Sequence, residues 1–388
     1  MNTSLIPRMA APAAKHFFLF GPRGTGKSTW LRETFAEAAW VDLLEAATYR
    51  TYMAQPERLE DFVKAHGTRD TVVIDEVQRV PQLLPVVHRL MEQRQELRFV
   101  LTGSSARKLR QKGVDLLAGR AVVRNMHPFL AAELGSAFSL ERALRLGTLP
   151  LVWSSATPED TLRSYIQLYL DQEVRSEGLV RNLDQFVRFL EVMSFSHGNA
   201  LNLSEIGREC QVKRSTLDSY VAILEDLLIA CRLPVFSKRA KRALAVHAKF
   251  YYFDAGVFRS LRPAGPLDRP EEGDGQALEG LLLQHLRAWI DYGNPDARLH
   301  YWRTQGGAEI DFVLYDAAVF AAVEVKNAAV IRDAELRSLR SFHEDYPEAE
   351  LFFLYRGKEV LLRHGVLCIP VERFLRQLIP GQPLPRTF

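Results

Sequence analysis

The stretch GPRGTGKST, Gly21 to Thr29, constrains this chain more than any other. It fits the pattern G-x-x-x-x-G-K-[ST] through Gly21, Gly26, Lys27 and Ser28. The pattern works only between a strand and a helix, because its backbone N–H groups must curl around phosphate oxygens at a helix N-terminus. Both flanks comply. HFFLF, residues 16–20, is an apolar run of buried-strand type, and KSTWLRETFAEAA, residues 27–39, reads as helix. The pattern assigns Gly21, Pro22, Arg23, Gly24, Thr25, Gly26, Lys27, Ser28 and Thr29 to nucleotide binding. Lys27 would reach the β- and γ-phosphates, and Ser28 would hold Mg²⁺. The alternative is a plain glycine turn between strand and helix.

Binding alone does not hydrolyse. TVVIDEVQ, residues 71–78, ends a β-prone run in Asp75 and Glu76. A carboxylate at a strand end can complete a Mg²⁺ shell, and the next can polarise an attacking water. RFVLTGSS, residues 98–105, ends in hydroxyls. Thr102 and Ser104 would sense the γ-phosphate or orient water, unless they only form a turn. The runs FFLF, AWVDLL, TVVID, RFVLT and AVVRNM alternate with helical stretches. That alternation predicts an α/β fold with a parallel sheet and the nucleotide at the carboxyl ends of its strands.

Four blocks together carry a family resemblance: LFGPRGTGKST, VVIDEVQRVPQLLPVVHRLM, FVLTGSSARKL and LAGRAVVRNMHPFLAAEL. Over about residues 15–135 the chain resembles the AAA-type ATPases of bacteria and archaea that carry a C-terminal domain of unknown function. The resemblance implies ATP at Gly21–Thr29, a Walker B pair in Asp75 and Glu76, and a sensor region in TGSS. Arg120 ends the LAGR block. It is a candidate finger onto a phosphate of its own or a neighbouring subunit, with a structural ion pair as the alternative.

The chain has 388 residues, which at roughly 150 per domain suggests two or three domains. Its net charge is only +3, so any nucleic-acid surface must be a local patch. Cys210, Cys231 and Cys368 are far apart and odd in number, which argues against a disulfide framework and for a reducing cytoplasm. The histidines have no metal-ligand spacing. No apolar run approaches the ~20 residues of a membrane span, and the first residues hold no signal-peptide core. A cytoplasmic location without membrane contact is expected.

The ATPase domain is expected over 1–145, with a junction in RLGTLPLVW, residues 145–153, marked by Gly and Pro. Residues 146–264 read as a helical connector and a winged helix-turn-helix. Within 201–236 a short helix, a tight turn and a longer helix follow one another. ACRLPVF and AKFYYFD would form a wing around the basic loop SKRAKRALAVHAK, which holds Lys238, Arg239, Lys241, Arg242 and Lys249 without an acid. Such a run can neutralise DNA phosphates without reading sequence. Asp218, Glu225 and Asp226 on the second helix count against it, and a solvated loop on a structural winged helix is the alternative.

Residues 265–388 form the third expected domain. GPLDRPEEGDGQ, 265–276, reads as a linker. The order that follows, α-β-β-β-α-β, resembles the restriction-endonuclease-like fold with its PD-(D/E)xK signature. On that resemblance Glu279, Asp311 and Glu324 are metal ligands and Lys326 is catalytic. Glu324 and Lys326 lie two apart on a strand and so share a face. Carboxylates from adjacent strands can share Mg²⁺, and a lysine beside it can orient water. Glu309 either joins the site or faces solvent. Trp289, Tyr301, Trp302, Phe312 and Phe320 read as core. The whole suggests an ATPase coupled to a nucleic acid or protein partner, with a homo-oligomer possible. The rivals are an ATP-regulated metal-dependent DNA endonuclease and an ATP-switched, non-catalytic binding module.

Overall fold

The computed structural model describes residues 5–66, 69–104, 117–170, 180, 182–238, 244, 247–263, 265 and 270–386. It divides into two compact units. One comprises Ala10–His127 with Asp226–Ile229, the other Met1–Met9, Pro128–Glu225 and Ala230–Phe388.

The first unit is built on β1 (Phe17–Phe20), α1 (Lys27–Thr34), β2 (Ala39–Asp42), α2 (Ala46–Ala54), α3 (Arg58–Ala65), β3 (Thr71–Asp75), α4 (Leu83–Gln93), β4 (Arg98–Gly103) and β5 (Val122–Asn125). Its sheet has the order β2-β3-β4-β1-β5, parallel throughout. Successive residues of β1 point to opposite faces. Phe17 and Leu19 pack with Trp30, Leu31 and Phe35, while Phe18 and Phe20 join Val72, Ile74, Phe99 and the α4 side chains Leu83, Val87 and Leu90. A sheet buried on both faces explains why β1, β3 and β4 read as continuous apolar runs. All five strands expected from the sequence form, and this sheet has the form of a P-loop ATPase fold.

The second unit holds two sheets. In the smaller, β8 (Lys249–Tyr252) lies between β6 (Asn199–Ala200) and β7 (Ala230–Leu233), antiparallel to both. Helices Leu203–Cys210 and Arg214–Asp226 precede β7, joined at Gln211, whose φ is 55°. The larger sheet is mixed, in the order β13-β14-β12-β11-β10-β9. Its strands are β9 (Arg298–Arg303), β10 (Glu309–Tyr315), β11 (Phe320–Val325), β12 (Glu350–Tyr355), β13 (Leu361–Arg363) and β14 (Val366–Pro370). Trp289, Tyr301, Trp302 and Phe312 are buried, as expected of core aromatics.

Two expectations need correction. The stretch 145–153 is not a seam between units, because the second unit begins at Pro128 and includes it. Gly147, at φ 72°, turns the chain against Asp254, whose Oδ2 accepts from the Thr148 N–H at 2.8 Å and whose Oδ1 accepts from the Gly256 N–H at 2.9 Å. Nor is 270–276 linker. A helix runs from Pro270 to Gly293. Proline fits its first turn, and Leu278, Leu281, Leu282, Leu286 and Trp289 anchor it in the core.

Candidate functional site

The loop after β1 is shaped by its glycines. Gly26 has φ 86°, in the left-handed region that glycine enters without steric cost. A Cβ on Gly21 would lie 2.5 Å from the Met126 carbonyl oxygen, so only glycine allows that approach. Thr25 is fully buried, and its hydroxyl donates to the Pro22 carbonyl at 2.8 Å. Lys27 is buried too, and its Nζ donates to the carbonyls of Gly21 at 2.7 Å and Pro22 at 3.2 Å. The first turn of α1 carries no acidic residue, and no side chain caps it. Its N–H groups and dipole are therefore suited to an anion. Pro22 is buried, Gly24 and Ser28 are half-buried, and Arg23 and Thr29 are exposed.

Two strand ends, those of β3 and β4, converge beside this loop. Ser28 Oγ donates to Asp75 Oδ2 at 2.7 Å. Thr102 Oγ1, on β4, donates to Asp75 Oδ1 and accepts from the Glu76 N–H, the latter at 3.0 Å. Glu76 follows β3 with φ 60° and ψ 44°, an uncommon conformation for a side chain beyond glycine. Gln78 Nε2 donates to Glu76 Oε2 and, at 3.1 Å, to Ser104 Oγ. Asp75, Thr102, Gln78 and Ser104 are buried, and Glu76 is half-buried. The hydroxyls of Thr102 and Ser104 are thus turned to the carboxylate pair and its amide partner. β4 lies between β1 and β3 in the sheet, so its hydroxyls are next to the β3 carboxylates.

Arg120 makes the ion pair that was its alternative reading. It precedes β5, whose first residue Val122 pairs with Phe17, the first of β1. Arg120 therefore stands at the amino-terminal edge of the sheet, whereas the phosphate loop leaves the carboxyl edge. The length of β1, about 13 Å at 3.3 Å per residue, separates the two edges. The Arg120 guanidinium pairs with Glu92 at 2.8 Å.

In the second unit the structure brings Glu279, Asp311, Glu324 and Lys326 to one locality, together with Glu309 and Lys249. Lys249 Nζ lies 2.9 Å from Glu279 Oε1, 2.6 Å from Glu309 Oε1 and 3.6 Å from Asp311 Oδ1. The Tyr251 hydroxyl donates to Glu279 Oε1 at 2.6 Å. Asp311 Oδ2 accepts from the Val325 N–H at 2.9 Å. Lys326 Nζ holds Glu324 Oε1 at 2.6 Å, and Glu324 Oε2 is buried without a partner. Burial opposes the charge of Lys249, but Glu279, Asp311 and Glu309 outweigh it and raise its pKa above the ordinary lysine value. Burial, reinforced by Asp311, pushes the Glu324 carboxyl up to about 8. Burial raises Glu279 as well, against the pull of Lys249. Among the described residues no three His, Cys, Asp or Glu side chains are grouped as a metal site requires.

Lys249 was expected among the DNA-contacting cations of the basic loop. It is 2% exposed and belongs to this cluster instead. Lys238 is exposed and lies 4.2 Å above the Tyr315 ring. Arg239, Lys241 and Arg242 lie outside the described residues. Among the described residues no helix is long and apolar enough to cross a membrane.

With both localities built, the comparisons can be read. Residues 13–135 match a family described as AAA domain. That match indicates an AAA-type P-loop ATPase family. Residues 137–268 match a domain of unknown function (DUF8612), and residues 274–374 another (DUF4143). Over 377 residues the chain is 27% identical to an uncharacterized protein of Mycobacterium bovis, covering 95% of this chain and 82% of the relative. An uncharacterized protein of Mycobacterium tuberculosis matches with the same figures. A solved structure, the replication initiator DnaA bound to AMPPCP and single-stranded DNA, aligns at 14% identity over 54% of this chain and 82% of that one. Its TM-score is 0.27, too loose to bear on fold or function.

Three members of these localities escaped the sequence reading, Gln78, Lys249 and Tyr251. Gln78 left a weak signal, an amide two residues beyond the acidic pair in a helical turn. Lys249 left a stronger one. A lysine opening the apolar run KFYY can be fully buried only if it is paired.

Proposed function

We propose that the chain binds ATP at Gly21–Thr29 and hydrolyses it, and uses the cycle to control a partner held by the second unit. The observation that carries this reading is the chain of contacts Ser28–Asp75–Thr102–Glu76–Gln78 at the carboxyl edge of the parallel sheet. Lys27 and the amides of the loop bind the phosphates. Ser28 and Asp75 offer the hydroxyl and carboxylate oxygens that Mg²⁺ takes, and within 2.7 Å of each other they fit one ion. Magnesium supplies charge neutralisation at the phosphates. Glu76 orients the attacking water and draws its proton, while Thr102 and Gln78 fix that carboxylate's backbone and side chain. Arg120 would touch a phosphate only on a second copy of the chain, after leaving Glu92.

The partner is proposed to be nucleic acid, bound by the winged-helix-like segment of residues 201–252. Lys213 and Arg214, at the start of the helix Arg214–Asp226, are exposed, and so is Lys238. Such cations can neutralise phosphates without base readout. A protein partner is the other outcome of a binding screen.

Two variants test the nucleotide site. Lys27→Ala removes most ATP binding, because its contact is made in the ground state. Glu76→Gln keeps binding and loses turnover, because its work falls in the transition state. ATP affinity and phosphate release are measured for both. Normal turnover in Glu76→Gln would sink the assignment.

A further inference from the structure

A divalent-cation site needs carboxylate oxygens that face one point with no fixed cation already there. In the second unit that point is taken. Lys249 Nζ lies within 4.0 Å of Glu279, Glu309 and Asp311, and its three N–H donors match three carboxylates. The second oxygen of Asp311 accepts from the Val325 amide, and Arg303 approaches the second oxygen of Glu309 at 3.3 Å. Lys326, which the nuclease resemblance would set beside a metal-bound water, is instead paired to Glu324. The residues are those of a metal site, but they do not fit a metal as arranged. A divalent ion at Asp311 would face the buried Lys249 ammonium a few Å away.

Nor is Lys249 a stray neighbour. It opens β8, paired across to Ala200 and Leu233, so its backbone is fixed in the small sheet. Tyr251, two residues on and on the same side of the strand, adds its hydroxyl to Glu279. Two side chains of one strand thus reach into carboxylates from the helix Pro270–Gly293 and from β10.

We propose that the Lys249 ammonium is the resident cation of this cluster. It holds Glu279, Glu309 and Asp311 together and closes them to divalent ions, so the nuclease-like unit does not cleave in this arrangement. Removing that ammonium unmasks a divalent-cation site that depends on Asp311. The inference is independent of the nucleotide site.

The test is Mn²⁺ binding to the full chain without nucleotide, followed by the paramagnetic resonance of the free ion. Wild-type protein and Asp311→Asn should bind Mn²⁺ equally. Lys249→Met should bind one further ion per chain, and Lys249→Met with Asp311→Asn should lose it again. In a melting assay Mn²⁺ should leave the wild-type midpoint unchanged and raise that of Lys249→Met by on the order of 5 °C at a hundredfold excess over Kd. No extra ion in folded Lys249→Met overturns the proposal. If Lys249→Met does not fold, the first comparison still decides. An Asp311-dependent Mn²⁺ site in the wild-type protein, or Asp311-dependent cutting of linear, circular or single-stranded DNA with Mn²⁺, overturns it.

Discussion

Replacing Thr102 by valine isolates the contact on which the proposed hydrolytic site depends. The two side chains are nearly the same size, so no cavity opens at this fully buried position. What is lost is one hydroxyl with two duties: donation to Asp75 Oδ1 and acceptance from the Glu76 N–H at 3.0 Å. A hydrogen bond to a charged group contributes roughly 1.5–3 kcal/mol, and an amide left without a partner costs about 1–3 kcal/mol. Together these destabilise the variant by roughly 2.5–6 kcal/mol, which lowers the melting midpoint by on the order of 10 °C. Function falls for a separate reason. Glu76 holds a left-handed backbone with φ 60°, and the Thr102 hydroxyl is its amide's acceptor. Released from it, the carboxylate drifts, and a misplacement near 1 Å costs about 10²-fold in rate. ATP affinity should change little, since Lys27 is positioned by the carbonyls of Gly21 and Pro22 within its own loop. Phosphate release, ATP affinity and melting are compared at a temperature where the variant is folded. Thr102→Ser keeps the hydroxyl and should stay near wild type. Turnover within twofold of wild type in folded Thr102→Val would refute the reasoning.

Acid stability offers a second test. His197 is fully buried, accepts from the Tyr252 N–H at 3.1 Å and stacks on Phe258, and burial pushes its pKa down to about 3. Its unfolded value is near 6.5, so between pH 3 and 6.5 the unfolded chain binds the extra proton. Stability is therefore full above pH 6.5 and is lost as pH falls towards 3, by up to about 5 kcal/mol. His197→Gln should flatten that acid limb in a pH series of melting curves, and an unchanged limb would count against it. If DNA is the partner, changing Lys238, Arg239, Lys241 and Arg242 to alanine should flatten the salt dependence of binding by about 0.9 per lost phosphate contact. An unchanged slope would move the DNA path elsewhere.

The parallel sheet was legible because each of its strands is an apolar run closed by a turn or cap, a property of neighbouring residues. The helix Pro270–Gly293 was not, because PEEGDG has the composition of a linker while its anchors, Leu278 to Trp289, come later. The turn at Gly147 misled in the opposite way. Gly and Pro mark a turn, but whether that turn is a seam depends on its partner, and here the partner is Asp254. Burial pushes that carboxyl up to about 6, the mark of a contact set inside a core rather than at a boundary.

The same division separates the two candidate sites. A phosphate loop works through consecutive backbone amides and the side chains beside them, so its sequence is nearly its geometry. Asp75 and Thr102 were legible as strand ends, but the direction of the Thr102 hydroxyl depends on β4 lying beside β3. The carboxylate cluster is assembled from a helix and two strands, and the order of its acids names the ligands without naming what they bind. A lysine ammonium and a divalent ion are attracted by the same oxygens. They differ in charge and in attachment, and only the second can be read from the fold: β8 is paired on both sides, at Ala200 and Leu233, so the backbone that carries the Lys249 ammonium is fixed beside the acids. The fixed strand, rather than the affinity of the acids, therefore decides which cation this cluster keeps.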